Sequence, residues 1–146
     1  MEQTMEKNEA PEQSEFVFPQ GLAGFGDAHR FGFVYEGKGD MICMQSLDAP
    51  EAAFILTPWD EQRLGTVPKL SAEQIDCLHL NNDEEQANSI MWMLVLNPFA
   101  DQQWVTANMR APIALHANAG RGIQCIRHDT SLELRYRWMP QPPAAV

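Results

Sequence analysis

The stretch TANMRAPIALHANAGRGIQCI, residues 106–126, decides how this chain is read. It holds the strand-like run PIALHA and all but the last residue of a second, GIQCIR, with Asn118 and Gly120 punctuating the turn between them. Asn108, Arg110 and Pro112 stand just before the first run, and Arg121, Gly122 and Gln124 close the block. Pro112 has no amide hydrogen, so its strand cannot donate a ladder bond there and the position suits an edge or a bend. Asn108 and Arg110 can satisfy turn backbone or face a partner.

Working outward, the same short-strand grammar recurs on both sides. EFVFP begins the ordered pattern, and the turn-rich QGLAGFGD follows it. RFGFVYE alternates, with Phe31, Phe33 and Tyr35 on one face. MICMQS follows after the five-residue loop EGKGD, residues 36–40, a length suited to a hairpin. AAFILT, 52–57, is stopped by Pro58, and SIMWMLVL, whose apolar continuity predicts a strand covered on both faces, is stopped by Asn97-Pro98. WVTA and LELRYRW complete the series. Ser71 and Gln74 make a capping box, with Leu70 and Ile75 as a hydrophobic staple, predicting one helix over 72–79. The fold class expected is mostly β: a small antiparallel β-barrel-like single domain with one short helix. Residues 15–139 form that domain, residues 1–14 read as a disordered acidic tail, and the Pro-rich 140–146 as a mobile end.

A chain of 146 residues suits one domain with a real core, and 45% apolar content fits a folded protein. The formal charge of −10 disfavours free nucleic acid, whose phosphates it repels, and favours a basic protein partner. The charge is uneven: residues 1–100 hold 17 acids against 5 bases, while 101–146 hold 3 acids against 5 arginines. The N-terminus lacks a basic n-region and an apolar h-region, and no apolar run approaches the ~20 residues that span a bilayer, so a cytoplasmic location and no membrane association are expected. Cys43, Cys77 and Cys125 are odd in number and lack C-x-x-C spacing, which suits reduced thiols in a core.

Chemistry-bearing motifs are sparse. His29, His79, His116 and His128 form no metal-binding pair, and Cys77 and His79, two residues apart on a helix, point to opposite faces. There is no G-x-S-x-G elbow, the acids of NNDEEQAN (81–88) read as solvated, and GLAGFG does not fit a dinucleotide fingerprint. No catalytic residue, no metal and no cofactor is expected. MQSLDAPEAAFI, residues 44–55, reads as a strand leaving the barrel through a turn at Ser46, Asp48 and Pro50 and returning as Phe54-Ile55.

PQGLAGF (19–25), MQSLDAPEAAFI and TANMRAPIALHANAGRGIQCI, in this order over about residues 18–138, together resemble the FliW family of bacterial flagellar assembly factors. The matches include Gln45, Ser46, Leu47, Asp48, Pro50, Ala53, Phe54, Thr106, Asn108, Ala111, Pro112, Ile113, Arg121, Gly122 and Gln124. Departures are Met44 for Leu, Met109-Arg110 for Leu-Lys, His116 for Asn, Leu132 near an expected Tyr, and a long acidic loop from Asn81 to Asn88. The resemblance implies a non-enzymatic β-barrel domain that binds the translational repressor CsrA and the flagellin subunit. It also implies that the protein antagonises RNA binding by CsrA, with newly made flagellin competing for it and freeing CsrA. An acidic domain docked beside a cationic RNA-binding surface opposes approaching phosphates, and competition between clients follows by linkage. We expect partner contacts at Gln45, Ser46, Asp48, Asn108, Arg110 and Pro112, framing one surface on a monomeric domain. The alternative is that both blocks only fix the barrel's turns. A small β-barrel enzyme or ligand carrier with an apolar pocket, and an adaptor that adds a partner's strand to its edge, are the competing functional readings.

Overall fold

A computed structural model of the chain describes residues 15–35, 41–49, 51–80, 89–98, 105–129, 131–132 and 136–138. The two expected tails, the loops 36–40 and 81–88, and Pro50 lie outside the described residues. In chain order the described elements are β1 (Glu15–Val17), β2 (Arg30–Tyr35), β3 (Ile42–Ser46), β4 (Ala53–Pro58), α1 (Glu61–Leu64), α2 (Ala72–Cys77), β5 (Ile90–Pro98), β6 (Val105–Ala107), β7 (Ile113–His116), β8 (Arg121–Gln124) and β9 (Tyr136–Trp138).

Seven strands in the order β4-β3-β2-β1-β8-β7-β5 close into a barrel through the β4–β5 pairing, and β6 and β9 extend the sheet beyond β5. The mostly β, single-barrel expectation holds. It differs in one joint: β1 and β8 run parallel, with Val17 opposite Arg121. Strands that alternate in direction cannot close a ring of odd number, so seven strands require a parallel contact somewhere.

Alternation sorts the side chains. Phe16, Phe31, Met44, Leu56, Met93, Ile113 and Leu115 point into the barrel and form one buried cluster with Phe18 and Leu22. Trp92, Ala114, Ile123 and Cys125 point outward and are covered by Leu78 and Leu80 at the end of α2. Leu94 and Leu96 also point outward, against Ala107, Met109 and Trp138. β5 is therefore buried on both faces, as its unbroken apolar run predicted. Burial pushes the Cys125 thiol up to about 12, against a smaller opposing pull from Arg127, so it stays a protonated core group.

The capping box is present: the Ser71 amide donates to Gln74 Oε1 at 2.8 Å, and the Gln74 amide donates to Ser71 Oγ at 3.1 Å. The helix stops in a Schellman turn, with the Leu80 amide on the Ile75 carbonyl and the His79 amide on the Asp76 carbonyl. His79 takes the left-handed position there, φ 59°. The second helix, α1, is a correction to the expected single one. Asp60 caps it by accepting from the amides of Gln62 and Arg63, Gly65 ends it at φ 82°, and the Arg63 guanidinium lies 3.9 Å over the Trp138 ring.

Gly122 shows how tightly the interior is closed. A Cβ there would sit 2.5 Å from Phe18 Cζ and 2.9 Å from Leu115 Cδ2. Gly26 has nothing within 4 Å. Gly122→Ala should therefore cost about 1–3 kcal/mol through overpacking, read as a lower denaturant midpoint with unchanged m, while Gly26→Ala stays near neutral. Equal midpoints for the two variants would contradict this packing.

Candidate functional site

Strand direction places the carboxyl ends of β1, β3, β5 and β8 and the amino ends of β2, β4 and β7 at one end of the barrel. The Ser46–Asp48 turn follows β3, the segment Asn108–Pro112 precedes β7, and the loop 18–29 joins β1 to β2. All three motif blocks thus reach the same rim. On its circumference the two predicted turns are not neighbours, because β4 and β5 stand between β3 and β7.

The turn after β3 is built by short polar side chains. Ser46 Oγ donates to Asp48 Oδ1 at 2.9 Å and accepts from the Ala49 amide at 2.7 Å. Asp48 Oδ2 accepts from the His29 amide at 3.2 Å, which ties this turn to the start of β2. Gln45 Nε2 donates to the carbonyls of Ser46 and Ala52. Partial desolvation pushes the Asp48 carboxyl up. Hydrogen bonds from the His29 amide, the Ser46 hydroxyl and the Asp48 and Arg30 amides outweigh it and hold the group below its ordinary value.

The segment before β7 is an enlarged bulge. Between the Leu96–Ala107 and Met93–Ile113 pairs, Leu94 and Val95 of β5 face five residues, Asn108 to Pro112. The Asn108 amide still donates to the Val95 carbonyl, and Asn108 Oδ1 accepts from the Arg110 amide at 2.9 Å, closing an Asx turn. The carbonyls of Pro112 and Arg110 accept from the amides of Cys125 and Arg127. Arg110 Nε donates to the Leu132 carbonyl at 2.7 Å, holding a second Asx turn in which the Asp129 carboxylate accepts from Ser131. Those two bonds from Ser131, hydroxyl first and then amide, are the main reason the Asp129 carboxyl is held low.

The loop 18–29 spans the mouth between the two turns. Leu22 drops into the barrel core, and Phe25 meets the Phe54 ring edge-on at 5.2 Å between centroids. The Ala23 amide donates to Gln124 Oε1 at 2.8 Å, and the His29 ring Nδ1 donates to the Phe18 carbonyl. Gly21 at φ 68° and Gly24 at φ 83° allow the reversal. Of the predicted site residues, Gln45, Ser46 and Asp48 are brought together, as are Asn108, Arg110 and Pro112, in two separate groups. Ser46 (4% exposed) and Pro112 are buried, so they offer a partner the shape of a turn and not their own atoms. Gln124 and Phe25 join the site without having been singled out for it; the signal was their place in the PQGLAGF and GRGIQ blocks. Among the described residues no group of three or more His, Cys, Asp and Glu is gathered that could hold a metal, and no helix is long and apolar enough to cross a membrane.

The fold and the rim define a small closed β-barrel whose mouth is plugged by its own first loop and edged with polar turns. The chain belongs to the FliW protein family, whose model matches residues 1–138. It is 26% identical over 129 residues to the flagellar assembly factor FliW of Syntrophus aciditrophicus, covering 88% of this chain and 79% of that one. It is 28% identical over 119 residues to that of Leptospira biflexa, covering 81% and 76%. A crystal structure of the flagellar assembly factor FliW superposes with a TM-score of 0.75 at 22% identity, covering 92% of each chain, which shows a common fold.

The low Asp48 carboxyl carries a pH consequence. A group whose folded pKa is depressed stabilises the fold fully above its unfolded value, here 3.8, and loses that contribution as pH falls through the lower folded value. Asp48→Asn should lower the melting temperature at neutral pH and flatten the loss of stability below 3.8. An acid limb identical to the parent's would remove Asp48 from the rim's support.

Proposed function

We propose that this protein is a flagellar assembly factor that binds CsrA in the cytoplasm, antagonises its RNA binding, and binds flagellin, whose competition releases CsrA. The observation that carries the reading is the family match over residues 1–138, within which all three motif blocks converge on one rim. The relatives named above are assembly factors by name, and none is named as an enzyme. Further support comes from the interior, where large apolar side chains from β1, β2, β3, β4, β5 and β7 pack together and the loop closes the mouth, an arrangement for a rigid binding module rather than a ligand carrier.

The chemistry fits the task. CsrA must present cationic surface to RNA, and a chain of net charge −10 approaches such a surface faster than a neutral one. Once docked, its negative potential raises the cost of bringing phosphate within a Debye length of about 8 Å, without covering each RNA contact. If flagellin and CsrA exclude one another on the barrel, each weakens the other by the same factor.

Titration of the purified chain with purified CsrA, with and without flagellin, at about 50 and 300 mM salt tests this. The expected result is a complex that weakens several-fold at the higher salt, releases RNA from CsrA, and is displaced by flagellin. Failure to bind either client at the lower salt, or turnover of a small molecule, would overturn the reading.

A further inference from the structure

The large apolar side chains exposed on the described surface differ in their surroundings. Val34 (52% exposed) and Met91 (45%) stand on strands of the barrel wall, with Val34 opposite Cys43 and Met91 opposite Leu115, and Met41 (40%) immediately precedes β3. Ile126 follows β8 in a segment where Arg127 interacts with Asp129. Phe25 and Leu47 lie elsewhere, on the loop that plugs the mouth and on the turn after β3. These two segments are hydrogen-bonded to each other: the Leu47 amide donates to the Arg30 carbonyl and the His29 amide to Asp48, while the Ala28 amide donates to the Phe25 carbonyl. Asp27, Asp48 and Glu51 are exposed on the same two segments. Arg30, at the start of β2, is engaged with Glu15 at 2.8 Å.

We infer that Phe25, Asp27, Leu47, Asp48 and Glu51 form a docking surface for a cationic protein segment that carries an apolar side chain. This rests on the functional reading above and assigns that reading a place on the molecule. Two exposed apolar groups and three exposed carboxylates on two hydrogen-bonded segments combine the apolar and polar components that an interface requires. The three carboxylates decide the class of occupant by charge complementarity: phosphate backbones and anionic lipid are repelled, and a lysine- or arginine-bearing protein surface is attracted. The surface is also preorganised. Phe25 is held by Phe54, its loop by Gln124, and the Leu47 turn by Ser46 and Asp48, so little freedom remains to be lost on docking. On the other arc of the rim Arg110 and Arg127 lie close enough to Asp129 to interact with its charge, so that arc carries no excess of carboxylates for such a partner.

The test uses the full chain and purified CsrA at low ionic strength. Leu47→Lys, and the pair Asp27→Lys with Glu51→Lys, should each weaken the complex by about tenfold or more. Val34→Lys adds the same single charge as Leu47→Lys on the barrel wall and should stay within about twofold, which separates this surface from net charge. If Leu47→Lys lowers the melting temperature, Leu47→Ser replaces it. Equal effects of Val34→Lys and Leu47→Lys, or full binding by the rim variants while the parent binds, would overturn this assignment and leave the functional reading standing. A parent chain that binds no CsrA overturns both.

Discussion

One strand, β5, is asked to pair with three others, and the rest of the architecture is arranged around that demand. Its residues Met93 to Leu96 pair with β4 on one edge; on the other, Leu96 to Pro98 pair with β6 and Ile90 to Met93 with β7. β6 and β7 therefore share a single edge, and the chain between them is longer than the edge it follows. The surplus is absorbed at Asn108–Pro112. Asn108 uses its side chain to turn the backbone, and Pro112, with no amide to leave unpaired, carries the chain back into register. Because the bulge carbonyls then face the continuation of β8, they take amides from Cys125 and Arg127 and extend the β7–β8 ladder past its regular end. A stretch that could have been read as a binding loop is first of all the means by which β5 serves two neighbours at once.

The parallel contact between β1 and β8 has a consequence of its own. Two strands that run the same way deliver their following residues to the same end of the barrel, so the loop leaving β1 emerges beside the end of β8. That is why Ala23 meets Gln124, a residue far away in the chain, and why a glycine-rich loop can lie across the mouth and fill it with Leu22. The other side of the loop reaches His29 and Asp48 because β2 begins where β3 ends. An odd-numbered ring thus brings together three motif blocks that the chain keeps well apart.

Much of this was written locally. Strand after strand was legible because apolar alternation and turn residues follow from contacts a few residues long, and α2 was legible because a capping box is made of neighbours. α1 escaped because four residues give no periodicity, although Asp60 and Gly65 mark its two ends. The parallel β1–β8 joint escaped too, since pairing between distant strands leaves no local signature. The same holds for the site. Asn108, Arg110, Ser46 and Asp48 drew attention by residue type and order, but whether they lay on one arc of the rim depends on how many strands stand between them. Gln124 could be seen as part of a motif; that its amide oxygen anchors the loop at Ala23 could not.

The division of labour within the rim follows from burial. Ser46 and Pro112 are enclosed, Asn108 and Arg110 spend polar atoms on neighbouring backbone, and Asp48 binds the His29 amide and the Ser46 hydroxyl while keeping its surface toward solvent. Residues that close a turn in this way fix shape, and a substitution among them changes shape and recognition together. Side chains that project from the finished turns, Asp27, Leu47 and Glu51, carry no such double duty. Recognition that is to be tuned from one client to another is more freely tuned there, because a change of charge or apolar area at those positions leaves the ladder, the plug and the bulge as they were.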